Sequence, residues 1–146
     1  HCGCSMGITW SRRNGRQYRY YHCLSAAKSG PETCPVKSVS AGDMEHAVIE
    51  QMRGLFRSPE IVAQTFMAAK ALATEGEQPF EETQVARALE HLDALWDTLF
   101  PAEQTRIIQL LVSKVAVNTD GLDVAFRLDG LRQVTAEMTT DEEAVA

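Results

Sequence analysis

All four cysteines of this chain, Cys2, Cys4, Cys23 and Cys34, fall within its first 34 residues. That crowding constrains the fold more than any other feature. A segment this short has too little apolar content to close a core of its own, so it needs a covalent or metal staple. Four thiols allow three disulfide pairings or one tetrahedral metal site. The N-terminus has no basic-then-apolar leader and no run of about 18 apolar residues occurs, so neither export nor membrane spanning is expected. The expected location is the cytoplasm, where thiols stay reduced and metal is favoured over disulfide, with Zn²⁺ as the cofactor.

Between Cys4 and Cys23, Ile8–Ser11 and Tyr18–Tyr21 read as strands, joined through Arg12-Arg13-Asn14-Gly15-Arg16-Gln17. Asn-Gly is the strongest two-residue signal for a hairpin turn with positive φ at both central positions. Alternation along the second strand puts Tyr18, Tyr20 and His22 on one face and Arg19, Tyr21 and Cys23 on the other. Leu24 to Pro35 shows no periodicity and is expected as a loop.

The net charge of −6 hides an asymmetry. Residues 1–40 carry six basic side chains against Glu32 alone, while the rest of the chain carries eight basic and nineteen acidic ones. Arg12, Arg13, Arg16 and Arg19 fall within eight positions with no acid among them, and such a cluster repels itself unless anions are near. Phosphate is the natural anion. The candidate nucleic-acid-binding residues are therefore Arg12, Arg13, Asn14, Arg16, Arg19 and Lys28, with Tyr18 and Tyr20 adding groove contacts. Four neutralised phosphates correspond to a log–log salt slope of about −3.6. Hairpin packing is the plainer use of Trp10 and the tyrosines.

Beyond Ser40 the composition turns acidic and helical. Ser40 suits an N-cap for a helix carrying Met44, Ala47, Val48, Met52 and Leu55, ended by Gly54 and Ser58-Pro59. A second helix follows Pro59, with Ile61, Val62, Thr65, Phe66, Ala69 and Leu72 on its apolar side. Thr74–Pro79 reads as a polar linker. A third helix spans Glu81–Leu99 with Val85, Leu89, Leu92, Trp96 and Leu99 on one stripe. A fourth opens at Pro101 and presents Ile107, Leu110, Leu111 and Val115. Lys114–Val117 and Leu122–Leu128 then form a hairpin across Asn118–Gly121, before a short helix over Gly130–Met138. The fold class is α+β: a ribbon over 1–39, a helical, coiled-coil-like region over 40–99, a helix plus hairpin over 100–138, and a flexible tail over 139–146.

No phosphate loop, H-E-x-x-H or G-x-S-x-G motif is present. His46 and His91 sit in acidic amphipathic helices, where surface placement is the ordinary reading. The chain is therefore not expected to be an enzyme by itself. The metal site has more than one completion. Knuckles usually space their ligands C-x2-C, whereas Cys2-Gly3-Cys4 is one residue shorter. Either both cysteines ligate in a C-x-C grip, or Cys4 is a bystander and a partner of Cys2 precedes His1; His1 or His22 could also complete the set. A chain that starts at His1 rather than Met reads as a fragment.

His1-Cys2-Gly3, Met6, the run Gly15-Arg16-Gln17-Tyr18-Arg19-Tyr20-Tyr21-His22-Cys23, Cys34-Pro35-Val36 and Ser38-Val39 resemble the recombinase zinc β-ribbon of large serine recombinases. Glu45-His46-Ala47-Val48 and Ile49–Leu55 resemble the helix that follows it. Phe100–Gln104, Arg106-Ile107-Ile108, Leu111-Val112 and Asp120-Gly121-Leu122 resemble that family's C-terminal helix and hairpin. The family's ribbon opens C-x2-C-G, so the resemblance equates Cys2-Gly3 with the second cysteine and its glycine. It implies Cys2, Cys23 and Cys34 as ligands with one ligand upstream, and it demotes Cys4. It further implies double-stranded DNA at one arm of an attachment site as partner, other recombinase subunits in a homo-oligomer, and an origin on a mobile genetic element. The serine nucleophile of such enzymes belongs to an N-terminal catalytic domain, and no serine here takes that role. The competing reading is a zinc-ribbon interaction module without DNA binding, whose helices 81–99 and 101–112 hold a protein partner.

Overall fold

A computed structural model of the chain describes the backbone of residues 1–72 and 81–145 and the side chains of 1–71 and 81–138. The expected linker Thr74–Pro79 lies outside the described residues. Strands and helices mix as an α+β chain. β1 (Met6–Arg13) and β2 (Arg16–Cys23) form the hairpin, longer than the expected strands by two residues at each end. Its turn has Asn14 at φ 50° and Gly15 at φ 76°, the positive pair that a tight two-residue connection demands. Register runs from Met6 opposite Cys23 to Arg13 opposite Arg16.

Two elements here carry no sequence signal. The stretch expected as loop holds α1 (Leu24–Ser29) and a 3₁₀ turn at Pro31–Thr33. Six residues are too few for amphipathic periodicity to register; their one buried side chain is Ala26. β3 (Ser38–Ser40) then adds to β2 antiparallel, giving sheet order β1-β2-β3 with β1 at the edge. Its three residues meet β2 only at Tyr20, Tyr21 and His22. The outer half of the hairpin is thus a free two-stranded ribbon.

α2 (Ala41–Phe56) begins as expected, with the Asp43 N–H donating to Ser40 Oγ at 3.4 Å. Gly54 does not stop it. The helix continues so that Val48, Met52 and Phe56, spaced by four, form its buried line, and Leu55 sits to one side. α3 (Pro59–Leu72) starts on Pro59, with the Ser58 carbonyl accepting from Ile61 and Val62. α4 (Glu82–Leu95) buries Val85, Ala88, Leu89 and Leu92. A 3₁₀ turn over Trp96–Thr98 then tucks Trp96 inward, where its carbonyl accepts from Gln104.

α5 (Pro101–Leu111) buries Ile107 and Leu111. It gives way at once to β4 (Val112–Val117), so Val115 belongs to the strand and not to the helix face. β5 (Leu122–Phe126) completes the second hairpin. α6 spans Leu128–Val145, so its backbone continues through the segment expected as a tail. It packs on α3, α4 and α5 and buries Leu131, Val134 and Thr135. No helix among the described residues is long and apolar enough to cross a membrane.

The chain divides into two compact units, each assembled from separate stretches. The first is residues 1–50 with 115–124; the second is 51–114 with 125–146. Within the second, Asp93 is nearly buried and held by two arginines. Arg53 Nε donates to Oδ1 at 2.6 Å and Arg57 Nε to Oδ2 at 2.8 Å, with Arg57 Nη2 a further donor to Oδ2. Burial alone would raise the Asp93 pKa, but these hydrogen bonds and positive charges outweigh it and hold the carboxyl below its ordinary value.

Candidate metal centre and ribbon surface

The sulfurs of Cys2, Cys23 and Cys34 lie within 4.8 Å of one another at the base of the first hairpin. Each arrives from a different element: Cys2 from the segment before β1, Cys23 from the last position of β2, and Cys34 from the end of the 3₁₀ turn. Cys23 and Cys34 are both buried, with Ala26 beside them and Met6 and Val36 packed against the group. The backbone around them is tied down locally. The Cys23 N–H donates to the Lys37 carbonyl at 2.9 Å, and the Leu24 N–H to the Ser5 carbonyl at 3.1 Å.

The spacing suits a metal ion rather than a disulfide. Cys2 and Cys23 sulfurs stand 3.5 Å apart, against about 2.05 Å for an S–S bond. All four cysteines are free thiols. Thiolates at about 2.3 Å on a tetrahedral ion stand about 3.8 Å from each other. The protonation pattern is also suitable. The Cys2 pKa is lowered to about 7, first by the Cys4 backbone N–H donating to its sulfur and then by the thiols of Cys23 and Cys34. Gly3, at φ 77°, turns the chain so that this N–H faces back. Cys34 is pushed up, chiefly by burial, and its thiol donates to the Val36 carbonyl at 3.3 Å. The Cys2 sulfur is therefore ready to ionise near neutral pH, and the Cys34 thiol surrenders its proton when a cation replaces it.

Cys4 is exposed and stands outside this group, as do His1 and His22. Its thiol is shifted up, mainly by its contact with Cys2 and the charge there. His22 neighbours Cys23 in sequence, and strand alternation points it to the other face. The geometry thus brings together three of the four cysteines and neither histidine.

The basic residues divide. Arg12, Arg13, Asn14 and Arg16 are all exposed at and beside the hairpin turn. Tyr18 is exposed on β2, Tyr20 is half-buried, and Lys28 is exposed on α1, apart from the hairpin. Trp10 is 60 % exposed and stands opposite Arg19 in the hairpin. Arg19 is engaged: its guanidinium pairs with the Glu45 carboxylate of α2, and the Tyr21 hydroxyl donates to the same carboxylate at 3.0 Å. The Tyr21 pKa is raised by burial and then by Glu45. Sequence reasoning missed Glu45, which lies 26 positions from Arg19 with nothing local to link them. His46 and His91 are exposed on their helices.

Residues 1–53 match the family model described as recombinase zinc beta ribbon domain, a match that supports a recombinase-related protein. No curated protein and no solved structure gives a match to the chain.

Proposed function

We propose that this chain is the DNA-binding portion of a site-specific serine recombinase, in which a zinc-stapled ribbon grips duplex DNA. The observation that carries the reading is one hairpin with a three-sulfur centre at its base and exposed Arg12, Arg13 and Arg16 at its tip. Its setting, a segment matched to a recombinase zinc ribbon, supplies the context. Cys2, Cys23 and Cys34 hold the ion, three of the four donors of a tetrahedral site. When bound, zinc supplies folding energy to a segment that lacks an apolar core.

The role is binding, with no strand-cleaving residue in this chain; other recombinase subunits are its protein partners. The competing reading, an interaction module using the apolar stripes of 81–99 and 101–112, loses its footing. Val85, Leu89, Leu92, Ile107 and Leu111 are all buried within the second unit.

The Arg19–Glu45 pair lowers the expected count of neutralised phosphates from four to three. The zinc-loaded chain on a duplex should then lose affinity with salt at a log–log slope of about −2.7. The test is fluorescence anisotropy on labelled DNA across a salt series. A slope near zero rejects the DNA reading.

A further inference from the structure

We infer that the ribbon receives duplex DNA chiefly on the face of Thr9, Ser11, Arg13, Arg16 and Tyr18, with Arg12 beside the turn reaching a third phosphate, and that Glu45 closes the inner part of the opposite face. The inference rests on the proposed function and specifies its surface.

The register assigns the faces. Residues directly opposite in an antiparallel pair share a face, and neighbours along a strand alternate. One face therefore carries Met6 with Cys23, Ile8 with Tyr21, Trp10 with Arg19, and Arg12 with Gln17. The other carries Gly7 with His22, Thr9 with Tyr20, Ser11 with Tyr18, and Arg13 with Arg16. Two contacts check this assignment independently. Met6 packs on the Cys23–Cys34 group, and Arg19 and Tyr21 reach the same Glu45 carboxylate.

The electrostatics of the two faces then differ. On the first, Arg19 and Glu45 sum to no charge, so their approach to a phosphate releases no net counterion; Arg12, exposed beside the turn, is the remaining cation there. A partly exposed ion pair is weak in itself. Even so, a phosphate that drew Arg19 away would be left facing the Glu45 carboxylate. On the second face, β1, β2 and β3 place no acidic side chain. Arg13 and Arg16 stand directly opposite each other there, an arrangement that costs energy through like-charge repulsion. An anion between the two guanidiniums removes that cost, which makes the pair a phosphate clamp.

Beside the clamp, Thr9, Ser11 and Tyr18 are exposed hydroxyls suited to phosphate and sugar oxygens. The acids Asp43 and Asp120 line a cleft at Val39 and Ser40 of β3. β3 reaches no further along β2 than Tyr20, and Arg16 is four residues beyond it, about 13 Å along a strand. That outer, two-stranded part has the width a DNA major groove admits.

The test uses the zinc-loaded full chain and a labelled 20-base-pair duplex. Salt slopes are measured for the unaltered chain and for R13Q/R16Q, R13K/R16K, R19Q and E45Q. The R13Q/R16Q slope should be shallower by about 1.8, and R13K/R16K should keep its charge-dependent slope. R19Q should leave the slope where it was, while E45Q, which releases Arg19, should steepen it by about 0.9. A steep slope that R13Q/R16Q leaves unchanged, or that R19Q flattens, overturns the face assignment while the proposed function stands. An E45Q slope equal to that of the unaltered chain overturns the closing role of Glu45. If the unaltered chain shows no salt-dependent binding at all, the proposed function falls and takes this inference with it. Tighter binding to an RNA duplex of the same sequence overturns the commitment to DNA.

Discussion

The ribbon and the helical unit hold themselves together by different physics. The ribbon's buried cluster consists of Cys23, Ala26 and Cys34, so two of its three members are metal-ligand types rather than hydrocarbon. The helical unit buries Phe56, Met52, Leu89, Leu92, Leu111 and Leu131, each with almost no exposed surface. Burial at about 25 cal/mol per Å² supports the second without any ligand. The first has little such area to draw on. With the proposed zinc site, the ribbon's folding is expected to be conditional on an ion and that of the helical unit is not.

The largest expected effect comes from withdrawing that ion. Structural zinc contributes apparent free energies of about 10–16 kcal/mol in small metal-tied domains. With EDTA, or in Cys23→Ser, amide protection across β1 and β2 should collapse while α4 and α5 keep theirs. Hydrogen exchange read by mass spectrometry separates the two regions in one experiment. Persistent protection of β1 and β2 under chelation would show that the ribbon does not depend on its sulfurs.

The converse perturbation strikes the helical unit. Leu89 is fully buried on α4, and Leu89→Ala should cost about 2–5 kcal/mol through lost transfer energy and the cavity left behind. The loss should appear in thermal unfolding followed by helical circular dichroism, with zinc affinity of the ribbon unchanged. A drop in zinc affinity of tenfold or more would mean that the two regions do not fold separately.

Legibility from sequence follows the same division. The hairpin is readable because Asn14-Gly15 states its own backbone requirement, and α4 with the turn after it because Val85, Leu89, Leu92 and Trp96 repeat at helical spacing over twelve residues. α1 and β3 were not readable. Six and three residues carry no period, and both exist because neighbouring elements position them. Of the candidate site, cysteine type and count pointed to the metal, and the family resemblance selected Cys2, Cys23 and Cys34; the geometry brings those three together. Arg19 shows the limit of local reading. Its charge was visible in the sequence, but its partner Glu45 is 26 residues away, and only the folded chain shows the charge to be engaged.

A smaller effect is expected at Gly130 in α6. A Cβ there would collide with the Leu110 backbone carbonyl at the end of α5. Gly130→Ala forces the two helices apart, and overpacking of this kind costs about 1–3 kcal/mol. Thermal unfolding should register it. A neutral result would mean that α5 and α6 yield without loss, contrary to the tight packing that distinguishes this unit from the ribbon.

The smallest effect concerns acid, and it separates the regions by pH rather than by mutation alone. Asp93 titrates below the ordinary value of 3.8 because Arg53 and Arg57 outweigh its burial. A carboxyl depressed in the folded state binds its proton more readily when unfolded. Its contribution is therefore whole above the unfolded value and is lost as pH falls through the lower folded one. Asp93→Asn removes the charge with little change of size, so the thermal midpoint should drop relative to the unaltered chain at pH 6, with the gap narrowing below about pH 4. The ribbon should respond at a higher pH, because thiolates that take up protons release their metal. Two acid transitions, with only the lower one altered by Asp93→Asn, are the expected record. A gap that stays constant down to pH 2 would remove Asp93 as the titrating stabiliser and leave the arginine clamp a matter of packing.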